Sequence, residues 1–354
     1  MYCRYCGKEL DEKAVMCPGC GKMLDESLLP KKPKHETESY VCNATAGALL
    51  ALIGSELGVI LCMVPFMVAI LVSDMSTSYY GMYDIENSMS MITFTNVASI
   101  VATVGATLFV VYLFKKSLKI TIPTLKKNPF SFGKILYYTG IGMGLSSVFG
   151  YLIYFLNLLL NNVGITLTTP DFSLQYDLLN NILMFIMVCI VAPIFEELLY
   201  RGLILTALKR FGNMFAIIIT SILFALAHGN IPQTVPTFFI SLVLCYVVLR
   251  SNSLLPAILI HFINNAISMV AGMYGNNDIV SIGFTIFEIA LIIFAGVALF
   301  LKREQIASYI KKHKGTPLLS YFKHITPIIY LVIYLLIIAF SVSLVNLVNN
   351  LNYI

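Results

Sequence analysis

The chain has 354 residues, 58% of them hydrophobic and only 12% charged, with a mean hydropathy of +0.85. That balance excludes a soluble globular domain and places the chain among proteins that cross a bilayer several times. A net charge of +5 is modest, and it implies no nucleic-acid partner.

Residues 1–24 read MYCRYCGKELDEKAVMCPGCGKML, with C-x-x-C-G knuckles at Cys3/Cys6 and Cys17/Cys20. Each knuckle aims two thiolates at one centre, and the two together complete a tetrahedral S4 shell suited to a structural Zn2+. Metal binding of this kind supplies the folding energy of a segment too small to have a core. The segment resembles the zinc ribbons fused to many bacterial membrane proteins. Disulfides are the alternative, disfavoured in a reducing cytosol. Residues 25–41 form a polar linker, and no cleavable signal peptide is expected ahead of the first span.

The rest predicts an all-α polytopic membrane protein with eight or nine transmembrane helices. The spans are expected near 43–73, 91–114, 135–160, 178–208, 213–228, 236–249, 255–273, 279–301 and 325–347. Charge gives the orientation, because Lys and Arg near span ends stay in the cytoplasm. The expected outer loops 74–90, 161–177, 229–235 and 274–278 hold no Lys or Arg. The opposite loops hold Lys115, Lys116, Lys119, Lys126 and Lys127, then Lys209, Arg210 and Arg250, then Lys302, Arg303, Lys311, Lys312 and Lys314. The N-terminus is therefore expected inside, and nine spans would put the C-terminus outside. Cys42, Cys62, Cys189 and Cys245 lie in or beside spans, where packing is the expected role.

Ionisable residues within the spans are functional candidates, because each charge there costs roughly 2.5–3.5 kcal/mol on insertion scales. They are Glu56, Glu196, Glu197, Arg201, His228, His261 and Glu288. Glu197 and Arg201 stand four apart on a helix and can pair on one face. Glu196 is rotated about 100° away and needs another partner. His228 in "FALAHG" and His261 in "HFINN" are the available ones, and Asn265 shares a helix face with His261. Pro193, about one turn before Glu196, is expected to free a backbone carbonyl and kink the helix.

Counting the rise from the basic span ends, Glu196 lies roughly 18 Å in, His228 roughly 22 Å, and His261 and Asn265 roughly 10 and 16 Å. The four are therefore expected to share a cavity. A carboxylate and an imidazole converging on one water can turn it into a nucleophile. A second imidazole and an amide suit the oxyanion that forms when water attacks a carbonyl. Together these groups predict amide hydrolysis. The competing explanation is that they only join helices by hydrogen bonds, which is the expected role of Glu56 and Glu288 unless they face a polar cavity.

"EELLYR", "FALAH" and "HFINN" fit E-E-x-x-x-R, F-x-x-x-H and H-x-x-x-N, in the order seen in the CAAX-protease and bacteriocin-processing (CPBP, or Abi) family of intramembrane proteases. The resemblance spans roughly residues 130–270. It implies that Glu196 and His228 activate water, that His261 and Asn265 stabilise the oxyanion, and that Glu197 and Arg201 form a supporting ion pair. It also implies a membrane-associated peptide or protein substrate, with peptide or bacteriocin maturation or immunity as the setting. Glu plus two His is a plausible zinc set, but there is no H-E-x-x-H, and a metal-free site is favoured.

The expected organisation is a ribbon at 1–24, a linker at 25–41, N-terminal helices at 42–129, a catalytic core at 130–273 and C-terminal helices at 274–354. Lipid and a substrate are the expected partners, with a cytosolic protein as a further partner of the ribbon. The bacterial plasma membrane is the expected location. The alternative function is a non-catalytic scaffold that recruits a partner through the ribbon. A transporter fits less well, since no internal repeat is visible.

Overall fold

In a computed structural model of the chain, residues 36–77, 89–123, 125, 130–167, 177–274 and 277–351 are described. Cys3, Cys6, Cys17 and Cys20 lie outside these residues. The described chain forms α1 (Glu38–Thr77), α2 (Met89–Leu118), α3 (Phe132–Asn161) and α4, a composite helix over Leu178–Phe211. There follow α5 (Asn213–Leu226), α6 (Ile231–Ser251), α7 (Leu255–Tyr274), α8 (Asp278–Leu301), α9 (Arg303–Lys312) and α10 (Ile325–Leu351). Eight of these are long and apolar enough to cross a membrane, and α5 is a shorter apolar helix. The protein is an all-α, multi-pass membrane protein.

Large apolar side chains remain exposed along the outer helices, among them Leu61 and Phe66 on α1, Ile286 and Ile293 on α8, and Phe340 on α10. Lipid is the medium that accepts such a surface. Buried residues concentrate instead on α4, α5 and α6. α4 and α5 are held between α1–α2 on one side and α6–α7 on the other, and α3 joins α6 to α8.

Close approach of α3 to α8 rests on the glycines of "GIGMG". A β-carbon on Gly144 would overlap the Leu291 carbonyl oxygen, and one on Gly140 would lie 2.8 Å from the Phe294 ring. With no hydrophobic drive between helices in lipid, small residues that let backbones meet supply the packing. Gly144→Ala should force the two helices apart and cost about 1–3 kcal/mol. Thermal unfolding in detergent measures that loss, and an unchanged midpoint would contradict the contact.

Two differences from the sequence-based limits of the spans bear on the site. α5 was expected to run over 213–228, but it stops at Leu226 after 14 residues, about 21 Å of rise, so His228 sits in the turn beyond its end. α6 was expected from 236 and starts at Ile231. Asn230 explains both limits. Its side chain accepts from the Gln233 N–H, capping α6, while its amide donates to the His228 carbonyl at 2.9 Å. Arg210 in the last turn of α4 and Arg250 at the end of α6 mark one side of the bundle, so α5 must carry the chain away from that side for α6 to return. The 227–230 turn carries His228 onto a cavity wall, and irregular backbone is tolerated in a membrane protein where it lines a cavity.

Candidate active site

The helix α4 carries three of the candidate residues and is irregular for a local reason. Its backbone widens into π-type turns over Ile186–Val191 and again over Glu197–Leu205. At the end of the first stretch the Ala192 N–H reaches back five residues, to the Met187 carbonyl. The next donor in that series is Pro193, which has no N–H, so the Val188 carbonyl is left over. Asn265 of α7 donates its Nδ2 to that carbonyl at 2.9 Å. Pro193 thus creates the vacancy that fixes Asn265, and π turns of this kind recur at functional sites.

Glu197 and Arg201 form an ion pair of 2.7 Å with neither side chain exposed. The second guanidinium nitrogen of Arg201 donates to Ser241 Oγ on α6 at 2.8 Å, and the guanidinium stacks 4.3 Å from the Phe224 ring centre. Burial of two charges is costly, and this geometry compensates it with a charge-assisted bond, a hydroxyl and an aromatic face. Glu197 Oε1 also lies 3.0 Å from His261 Nδ1, while Glu197 Oε2 has no hydrogen-bond partner among the described residues.

The contact with Glu197 orients His261. With Nδ1 turned to the buried carboxylate, its Nε2 faces Glu196 Oε2 at 3.8 Å, too long for a direct hydrogen bond. His228 is oriented by backbone instead, since its Nδ1 lies 3.1 Å from the Phe224 carbonyl. A neutral His228 therefore keeps its proton on Nδ1 and leaves the Nε2 lone pair free. Phe224 meets both imidazoles edge-on, at 5.2 Å to His228 and 5.8 Å to His261.

A cavity of about 510 Å³ is lined by Glu196, His228, His261 and Asn265 together, with Asn264 and Gln233 on its wall. Glu197 and Arg201 are not part of that wall, and stand behind it as support. A second, smaller cavity of about 170 Å³ meets Glu196 and His228 from the other side and contains Glu56. Glu288 lies elsewhere, accepting a hydrogen bond of 2.7 Å from the Tyr151 hydroxyl. Sequence reasoning missed Asn264, Ser241 and the role of Phe224. Asn264 and Phe224 stood inside the quoted motifs, whereas nothing marked Ser241 in its apolar helix.

Among the described residues, the donor atoms of Glu38, Cys42 and His324 gather within 4.8 Å of one another. A carboxylate, a thiol and an imidazole so placed suit a divalent cation such as zinc. They stand at the starts of α1 and α10, with Cys42 about 21 Å along α1 from Glu56. Cys189 and Cys245 are buried, while Cys62 is exposed on the outer surface of α1.

No curated protein matches the chain, and no solved structure matches it. Residues 178–267, which contain Glu196, Glu197, Arg201, His228, His261 and Asn265, match the family model described as Type II CAAX prenyl endopeptidase Rce1-like, so this quarter of the chain is similar to CAAX intramembrane proteases.

Proposed function

We propose that this membrane protein is an intramembrane endopeptidase that hydrolyses a peptide bond in a membrane-associated peptide or protein. The observation that carries the reading is the single cavity of about 510 Å³ onto which Glu196, His228, His261 and Asn265 all open. One O–H of a bound water donates to His228 Nε2 and the other to Glu196. As the water oxygen bonds to the scissile carbon, Glu196 takes a proton and the carbonyl electron pair moves onto oxygen. Asn265 has a second Nδ2 hydrogen for that oxyanion, the first being engaged by Val188. His261 contributes an Nε2–H to the same oxyanion when it carries both ring protons, since its Nδ1 is turned to Glu197. The C–N bond then breaks, its electron pair stays on nitrogen, and Glu196 returns the proton to the leaving amine. Every step uses the protein's own groups.

The distribution of Lys and Arg supports a cytoplasmic N-terminus, and with α5 counted as a ninth crossing the C-terminus would lie outside. The four N-terminal cysteines would hold a structural zinc. A plasma-membrane setting in a bacterium, with peptide or bacteriocin maturation or immunity as the process, follows from the motif resemblance.

The substrate class can be tested with the full chain in liposomes and a quenched fluorescent peptide ending in a CAAX tail, with and without a prenyl group. Cleavage of the prenylated peptide alone assigns a lipidated tail. Cleavage of both assigns a tail recognised without lipid, and cleavage of neither removes CAAX tails from the substrate class.

A further inference from the structure

Glu38 and Cys42 stand four residues apart at the start of α1, so their side chains leave one face of the helix. His324 comes from far along the chain, between a 3-10 turn over Leu318–Lys323 and the first residue of α10. A ring nitrogen of His324, the Cys42 Sγ and a Glu38 carboxylate oxygen all lie within 4.8 Å of one another. Cys42 is fully buried, while Glu38 and His324 are half-buried.

Two contacts fix His324 against α1, one on either side of it. Three residues before it, the fully buried Tyr321 places its hydroxyl 3.1 Å from Thr45 Oγ1. Two residues after it, the Thr326 N–H donates to Asn43 Oδ1 at 3.1 Å, beside Cys42. The imidazole is thus brought to the thiol and the carboxylate by neighbours that are not members of the cluster, and ligands supported in this way are already placed when an ion arrives. Among the described residues, no hydrogen bond or ion pair ties any of the three side chains to a residue outside the cluster.

The donor set selects the ion. Zinc holds its ligands at roughly 2.0–2.3 Å, so atoms of a tetrahedral shell are about 3.3–3.8 Å apart, and the three donors close by no more than about 1.5 Å to reach that spacing. Thiolate and imidazole favour zinc over magnesium or calcium, which take oxygen ligands. A thiolate, a carboxylate and a neutral imidazole together carry two negative charges, which a divalent ion cancels, so the loaded set is neutral where it is buried.

We propose that Glu38, Cys42 and His324 bind one Zn2+, with water in the fourth position, and that the ion staples the start of α1 to the start of α10. The Cys42 thiol gives its proton to solvent as the Zn–S bond forms. The site uses none of the four N-terminal cysteines and no residue of the hydrolytic cavity, so it stands apart from the endopeptidase reading.

Cobalt(II), a spectroscopic substitute for zinc, tests this in the full chain in detergent with Cys3, Cys6, Cys17 and Cys20 changed to serine. One equivalent should bind, with the visible bands of a tetrahedral ion and a near-ultraviolet thiolate charge-transfer band, and zinc should displace it. Cys42→Ala should remove the charge-transfer band, whereas Cys62→Ala should keep it. Glu38→Ala and His324→Ala should each weaken binding by more than the roughly 10–100-fold that loss of an outer-shell partner costs. Added zinc should raise the unfolding midpoint of the four-serine chain, as a ligand of the folded state does, and should not move it once Cys42→Ala is added. With all N-terminal cysteines in place, wild type equilibrated with zinc and freed of excess should carry one more zinc per chain than Cys42→Ala. A charge-transfer band that survives Cys42→Ala, a midpoint that zinc does not move in the four-serine chain, or equal zinc contents would overturn the proposal.

Discussion

Replacing Glu196 with Gln should reduce peptide hydrolysis by about 10²–10⁴-fold, the range for loss of a general base, while the chain still folds in the membrane. The side chain is 32% exposed to the cavities and its carboxylate stands 3.8 Å from His261 Nε2. Gln keeps the size and loses only the capacity to take a proton. Turnover should therefore fall with little change in thermal unfolding, since an interaction made only in the transition state is removed. A variant that keeps full turnover would mean that another group activates the water.

Arg201→Ala should have the opposite signature, with little or no folded protein recovered. It strands the Glu197 carboxylate, which is fully buried and also contacts His261. Removing one partner of a buried pair costs about 3–5 kcal/mol, a large part of the roughly 5–15 kcal/mol that holds a typical domain folded. Arg201→Lys should restore little, because one ammonium cannot serve Glu197 and Ser241 together while stacking on Phe224. The double change Glu197→Gln with Arg201→Met should be less harmful than the two single costs combined, since neither charge is then stranded. Membrane yield at matched expression and detergent melting measure these effects. Single variants as stable as wild type would show that the pair carries no structural load.

What could be read from sequence divides along a physical line. Apolar length marked the spans, and the i, i+4 spacing of Glu197 and Arg201 placed them on one face, because both signals are local to one helix. Contacts between helices were less accessible. Spans that are apolar all round carry little indication of which face turns inward, so nothing marked Ser241 as the second acceptor of Arg201 or brought Glu56 of α1 to the smaller cavity beside Glu196. The stop of α5 at Leu226 depended on the Asn230 cap, in a segment whose composition continues to read as membrane. Pro193 indicated a freed carbonyl, but only the packing of α7 on α4 identified it as Val188 and its donor as Asn265.

Glu196 either acts in hydrolysis or merely joins helices. Mass-spectrometric comparison of peptide termini, in cells and medium, between cells expressing wild type and Glu196→Gln at matched levels separates the two roles. A role in hydrolysis gives new termini that appear only with the wild-type chain, at a bond near the membrane, and these would identify the substrate. Identical termini in the two strains, with the protein's cellular role surviving the Glu196→Gln change, would contradict it and leave the acids as elements of a non-catalytic membrane scaffold.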